Sequence, residues 1–324
     1  MKLTTKIFTI AIATATVPTA ALANVTINGA GATFPAPIYQ RWFQDYSQQT
    51  GNRVNYQSVG SGAGVRQYIA GTVDFGASDE AIKASEAAKV KRGVVQIPMV
   101  GGTIAVAYNK PGCNLKLTQK QVVDIFSGRI KDWKQVGCAA GQMRVVYRSD
   151  GSGTTYAFTN SLDAFGGWGP GVGKAVKWPV GIGGKGNEGV AGNIRQTPGA
   201  IGYVNTGFVK ANRLQAAAIQ NKAGKFVLPT AKSGAAALNN IKLDPVTLAG
   251  EDPNPAGAQA YPISTLTWIL AYKSGNGAKR DGIRAALNYA LSSKAQGIAD
   301  DLGYVPLSGS ILNRSRIAVQ RIGQ

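Results

Sequence analysis

The sequence predicts an α/β protein with largely parallel sheets. Three observations carry that expectation. Short β-branched runs alternate along the chain with segments whose apolar residues recur at helical spacing. Several strand-to-helix junctions are glycine-framed turns. The 324 residues are 44% hydrophobic, enough to bury a sizeable core and, on a prior of about 150 residues per domain, enough for roughly two domains.

In chain order, residues 1–23 read as a secretory signal peptide. Lys2 and Lys6 form the charged start, 7–21 is mostly apolar, and Ala21, Leu22 and Ala23 make a small-x-small cleavage site. Cleavage after Ala23 removes two lysines and lowers the formal charge from +19 to +17. No later apolar stretch approaches the ~20 residues of a membrane span. Strands are expected at 25–28, 53–58, 75–77, 94–98, 103–108, 144–147, 200–203 and 266–272. Helices are expected at 35–50, 64–71, 118–127, 154–165, 282–291 and 294–302. The first helix carries Ile38, Tyr39, Trp42, Phe43 and Tyr46 on one face. The glycine-rich run 166–189 has the composition of a linker, but Trp168, Trp178 and Pro179 argue for a loop that packs. Residues 250–259 form a polar turn cluster at a domain boundary.

Composition excludes much chemistry. The chain has no histidine and two cysteines. A Ser-His-Asp or Cys-His nucleophile and a His-ligated zinc are impossible, and a four-cysteine metal site is out of reach. No cofactor and no metal is expected. Export places Cys113 and Cys138 in an oxidising compartment, where two cysteines most often pair. The 35 Lys and Arg against 16 Asp and Glu favour anionic partners. These cations are spread along the chain, with 89–92 the densest group, so no specific nucleic-acid site is expected.

Three turns share one design: Asn28 to Pro35, Gly60 to Gly64, and Tyr147 to Thr154. Each follows an expected strand and opens an expected helix. A helix N-terminus offers unpaired N–H groups and a partial positive charge. Glycine lets a ligand approach that backbone, and Ser or Thr adds hydroxyl donors. Any one of them is usually only a capped tight turn. Three converging turns would form an oxyanion cage without a metal. Nucleotide signatures are absent: there is no GxxxxGK[ST], Gly183 to Asn187 lacks the hydroxyl after Lys185, and Phe34 stands where GxGxxG needs glycine.

Arg148, four residues before Ser152, offers a planar fork suited to a tetrahedral oxyanion. Asp79 is the odd member, because a carboxylate repels an anion unless the ligand brings a proton for it to accept. Phosphate does so at neutral pH and sulfate does not. From spacing alone Asp79 serves equally well as a helix cap.

The segments GAGATFPAPIYQRW (29–42), NYQSVGSGAGV (55–65), TVDFGASD (72–79), RSDGSGTTYAFT (148–159), VKWPVGIGGKGNEGVA (176–191) and PGAIGYV (198–204) together resemble the periplasmic phosphate-binding proteins of Pst-type ABC importers, the PstS family. The match runs in order over nearly the whole chain after the leader. The resemblance implies a type II periplasmic-binding-protein fold, with two α/β domains, a two-strand hinge and a ligand cleft. Domain I would comprise 24–101 plus 262–324, and domain II 102–261. It also implies the phosphate ligands Thr33, Phe34 through its N–H, Ser61, Asp79 as proton acceptor, Arg148, Ser152, Gly153 and Thr154, with Asp150 orienting Arg148. The implied protein is a non-catalytic, monomeric periplasmic receptor whose partners are a membrane permease and ATPase subunits. Arsenate, sharing phosphate's shape and proton, should compete. The chain departs from many members at Gly62 and Ala63 after the first serine, and at Glu80 and Ala81, where Ala-Pro is common. Two alternatives are a secreted phosphatase-like protein of the same fold and a basic protein binding nucleic acid or an anionic surface.

Overall fold

A computed structural model describes residues 25–239 and 241–324; the expected signal peptide, 1–23, lies outside them. The strands are β1 (Thr26–Gly31), β2 (Arg53–Ser58), β3 (Phe75–Ser78), β4 (Val94–Tyr108), β5 (Lys116–Leu117), β6 (Arg144–Arg148), β7 (Ile182–Gly184), β8 (Ala200–Asn205), β9 (Gln215–Ala216), β10 (Ala218–Gln220), β11 (Phe226–Val227) and β12 (Ser264–Tyr272). The helices are α1 (Ala36–Thr50), α2 (Ser61–Ala70), α3 (Ala84–Ala87), α4 (Gln119–Phe126), α5 (Gly153–Phe165), α6 (Gly186–Gln196), α7 (Thr206–Asn212), α8 (Ala231–Leu238), α9 (Arg280–Ala290), α10 (Ser293–Gly297) and α11 (Gly309–Val319).

One sheet runs through the described residues in the order β2-β1-β3-β12-β4-β8-β6-β7, with β9 also on β4. Each end is a parallel triplet: β1 pairs in parallel with β2 and β3, and β6 with β7 and β8. The expectation of largely parallel sheets fails in the middle, where β12 is antiparallel to β3 and β4, and β4 to β8. These two long strands join the halves. Residues 94–103 of β4 pair with β12, and 104–108 pair with β8.

The two strands expected at 94–98 and 103–108 are therefore one. Gly101 and Gly102 do not break it. A Cβ there would stand 2.1 Å from Leu238 Cδ1 and 2.7 Å from Phe34 Cζ, so glycine permits close packing in mid-strand. Helix α2 similarly begins at Ser61 rather than at 64. A Cβ on Gly64 would lie 2.4 Å from Gly31 Cα, so this glycine lets the helix press onto β1 rather than shaping a turn. Gly60, at φ 89°, makes the turn.

Helix α1 buries the predicted face, Ile38, Tyr39, Trp42, Phe43 and Tyr46. Tyr39 and Phe43 meet Tyr56 of β2, and Phe43 meets Phe75 of β3; each such side chain removed from water contributes about 1.5–3 kcal/mol. Gly51, left-handed at φ 75°, ends the helix by donating to Ser47 O. In the other half, Trp178 of the glycine-rich run stacks on Tyr147 and Tyr203 and packs against Trp168. The tryptophans of the run are packed while Pro179 and most of its other residues are exposed, and its last residues, from Gly186, belong to α6. The helix expected at 294–302 is only the short α10. A disulfide joins Cys113 and Cys138, Cα atoms 5.4 Å apart, around β5 and α4. Among the described residues no helix is long and apolar enough to cross a membrane.

Candidate functional site

The expected residues stand at the carboxyl ends of parallel strands. Thr33 and Phe34 follow β1, Ser61 follows β2, Asp79 follows β3, and Arg148 ends β6, with Asp150 to Thr154 leading into α5. In an open α/β sheet this is where loops and helix N-termini gather. Here two such edges face each other and touch. Gly62 N–H donates to Gly151 O at 2.8 Å across the gap. A Cβ on Gly153 would stand 2.6 Å from Ser61 Oγ and 2.7 Å from Asp79 N, so only glycine allows this approach.

Arg148 is 3% exposed. Its Nε and Nη2 donate to the two carboxylate oxygens of Asp150, at 2.7 and 2.6 Å. Its Nη1 donates to Thr154 Oγ1 at 3.3 Å. Two of the five guanidinium N–H groups thus remain for a further acceptor. Burial pushes the Asp150 carboxyl up, but the hydrogen bonds and charge of Arg148 and the Gly186 N–H bring it below the usual range. Arg148 is therefore locked in orientation. Its own backbone N–H donates to the buried Tyr203 hydroxyl.

Asp79 is 2% exposed. Thr267 donates to Oδ1 at 2.9 Å and Thr154 to Oδ2 at 3.2 Å. Burial raises its pKa to about 6, against the lowering effects of Thr267, the Arg148 charge and Thr154. At neutral pH it is an acceptor among donors. It caps no helix: its N–H donates to Ser61 Oγ.

Ser61 is the first residue of α2. Ser152 caps α5, its Oγ accepting from Thr155 N–H at 2.9 Å, which leaves its own proton to donate. The first N–H groups of α5, at Gly153 and Thr154, have no intrahelical acceptor. The Phe34 carbonyl accepts from Tyr304 at 2.7 Å, while no hydrogen bond among the described residues engages its N–H. Every polar side chain in this set except the partly exposed Asp150 is buried. The arrangement converges N–H groups, hydroxyls, one guanidinium and one carboxylate on a small space, and so suits a protonated oxyanion.

Sequence reasoning missed Asn187 and Thr267. Asn187 is the second residue of α6, after the three-residue strand β7, in a fourth glycine-framed turn (Gly183 to Gly189) in the segment that fails as a nucleotide loop. So short a strand leaves no alternation to read. Thr267 is the fully buried hydroxyl in the middle of β12, and that position was a usable signal.

Comparison with known proteins shows the family and the fold. Residues 15–294 match the PBP superfamily domain. A phosphate-binding protein PstS of Haemophilus influenzae is 42% identical over 306 residues, covering 89% of this chain and 90% of that one. The PstS of Pasteurella multocida is 41% identical over 308 residues, covering 89% and 88%. The chain belongs to the PstS phosphate-binding proteins. The solved structure of a high-affinity periplasmic phosphate-binding protein with phosphate bound shares the fold, with a TM-score of 0.76 and 22% identity over 90% of this chain and 93% of that one.

Within this PstS fold the unusual Glu80 is buried beside Asp79 yet does not stand alone. Lys174 Nζ lies 2.8 Å and Lys83 Nζ 3.4 Å from its carboxylate. The extra negative charge is thereby balanced at the cleft.

Proposed function

We propose that this chain is an extracytoplasmic receptor that captures inorganic phosphate and delivers it to an ABC-type importer. One observation carries the reading: a buried carboxylate, Asp79, lies among donors around an Arg148 fork locked by Asp150. An oxyanion bearing a proton satisfies both kinds of group, whereas a fully deprotonated one faces a buried acceptor. The relatives' name, phosphate-binding protein PstS, supports the same ligand. That name also favours binding over the phosphatase-like and nucleic-acid alternatives.

In this reading Thr33, Phe34 N–H, Ser61, Arg148, Ser152, Gly153 and Thr154 donate to phosphate, and Asp79 accepts its proton. Domain I comprises 24–101 and 262–324, domain II 102–261. The crossings near Thr103 and Ser264, paired in β4 and β12, support a two-strand hinge between them. The receptor is a periplasmic monomer, cleaved after Ala23, that hands phosphate to a permease with ATPase subunits. Arsenate competes. Calorimetric titration of purified protein with phosphate, arsenate and sulfate tests the reading. Phosphate and arsenate should bind and sulfate should not; equal binding of sulfate and phosphate overturns it.

A further inference from the structure

Asn187 is fully buried where the two halves meet, and its polar groups are all engaged. Its backbone N–H and its Nδ2 both donate to Thr33 Oγ1, at 3.0 and 2.8 Å. Nδ2 also donates to Thr154 Oγ1 at 3.2 Å, and Oδ1 accepts from Asn205 N–H at 2.9 Å. That last bond fixes the amide. A backbone N–H can only donate, so the atom facing it is the oxygen, and the NH₂ group faces the threonines.

A hydroxyl has one proton and two lone pairs. Thr33 Oγ1 receives two donors from Asn187, so its lone pairs are filled and its proton must be given away. Thr154 Oγ1 receives Arg148 Nη1 and Asn187 Nδ2, and gives its proton to Asp79 Oδ2. We propose that Asn187 is a positioning residue that makes the Thr33 and Thr154 hydroxyls donors only. An oxyanion then meets the Thr33 hydroxyl proton, and Thr154, whose proton is held by Asp79, has no lone pair free to turn toward it. Thr33 follows β1 and Asn187 follows β7, strands of the two parallel triplets at opposite ends of the sheet. The Thr33 hydroxyl is therefore polarised only when the halves are shut, and Asn187 slows release more than it speeds capture. This inference rests on the phosphate reading above.

The test measures phosphate binding by calorimetry and stopped flow for wild type, Asn187→Ala, Asn187→Asp, Thr33→Val and the Asn187→Ala/Thr33→Val pair. Loss of the enforced, charge-assisted Thr33 donor predicts about tenfold weaker binding in Asn187→Ala, mostly as faster dissociation. Asn187→Asp, near-isosteric but with acceptors where donors stood, should lose roughly a hundredfold or more. Because Asn187 acts through the hydroxyl, its alanine substitution should cost at least about threefold less once Thr33 is valine. If alanine does not fold, Asn187→Ser takes its place in the cycle. Equal losses in both backgrounds, or Asn187→Ala binding within about twofold of wild type, overturn the role. Wild type that does not bind phosphate overturns the proposed function and this inference together; wild type that binds without the coupling overturns only Asn187.

Discussion

Lys174 Nζ lies 2.8 Å from the carboxylate of Glu80, and the two residues come from opposite halves of the molecule. Glu80 is 4% exposed and is next in the chain to Asp79. The Lys174 carbonyl also accepts from Ser152 N–H at 2.8 Å. One lysine thus ties the glycine-rich loop both to the α5 turn and to the opposite rim. Its ammonium also lies 3.5 Å from Glu86.

Removing that ammonium leaves Glu80 buried with only the exposed, more distant Lys83. Lys174→Met should weaken phosphate binding roughly tenfold, chiefly by faster dissociation, because breaking a buried pair is more costly than never having built it. Adding Glu80→Gln should recover part of the loss. Stopped-flow dissociation rates check both; a rate unchanged by Lys174→Met removes the latch role.

Arg148→Ala should weaken phosphate binding by about a hundredfold or more, since it removes charge-assisted bonds to the ion. It also strands Asp150, whose bidentate partner is gone, so the thermal midpoint of the ligand-free protein should fall. Calorimetry and thermal unfolding read the two effects separately. Unaltered affinity would place the ion elsewhere.

The raised pKa of Asp79 should make selectivity depend on pH. In the proposed reading the carboxylate above about pH 6 only accepts, which disfavours sulfate; below it the protonated carboxyl can donate. Sulfate binding should therefore strengthen as pH falls through 6, and the phosphate preference should narrow. Competition titrations at pH 5 and pH 8 check this; a preference independent of pH counts against Asp79 as the selector.

The same shift has a stability consequence. Between the ordinary value of 3.8 and about 6, the folded ligand-free protein holds a proton on Asp79 that the unfolded chain has released. Stability from this group therefore falls as pH rises through that window, by about 3 kcal/mol at most. Asp79→Asn should lack this fall. Denaturant unfolding of both proteins from pH 4 to 7 makes the comparison.

Gly153→Ala tests closure by sterics alone. The helix accepts alanine at its first position, but the new Cβ would meet Ser61 Oγ and Asp79 across the gap. Phosphate binding should drop by about a hundredfold or more, with ligand-free stability nearly unchanged, since Gly to Ala in a helix is mildly favourable. Small-angle scattering should show that phosphate no longer compacts the protein. Normal compaction would mean that the halves meet differently.

Much of this site is legible in the sequence because its chemistry is local. A glycine-framed turn with Ser or Thr before an amphipathic segment announces a helix N-terminus, so Thr33, Ser61 and the Arg148 to Thr154 run stand out with no structure in hand. The alternation of strands and helices fixes the α/β class for the same short-range reasons of backbone preference and apolar spacing. Two boundaries went wrong where glycine served packing rather than turning, at Gly64 and at the Gly101–Gly102 pair.

What the sequence by itself determined is thus the set of donors, the one guanidinium, the one out-of-place carboxylate and the absence of imidazole chemistry. Tertiary structure alone decided which way those groups point and how they are charged. Thr154 reaches Asp79 across 75 residues, Asn187 reaches Thr33 across 154 and Thr267 reaches Asp79 across 188. Hydroxyl direction, amide orientation and a carboxylate's proton affinity depend on partners and burial, and no local preference encodes contacts at that separation. The continuous β4, joining the halves and setting one parallel triplet against the other, is where that long-range arrangement is made.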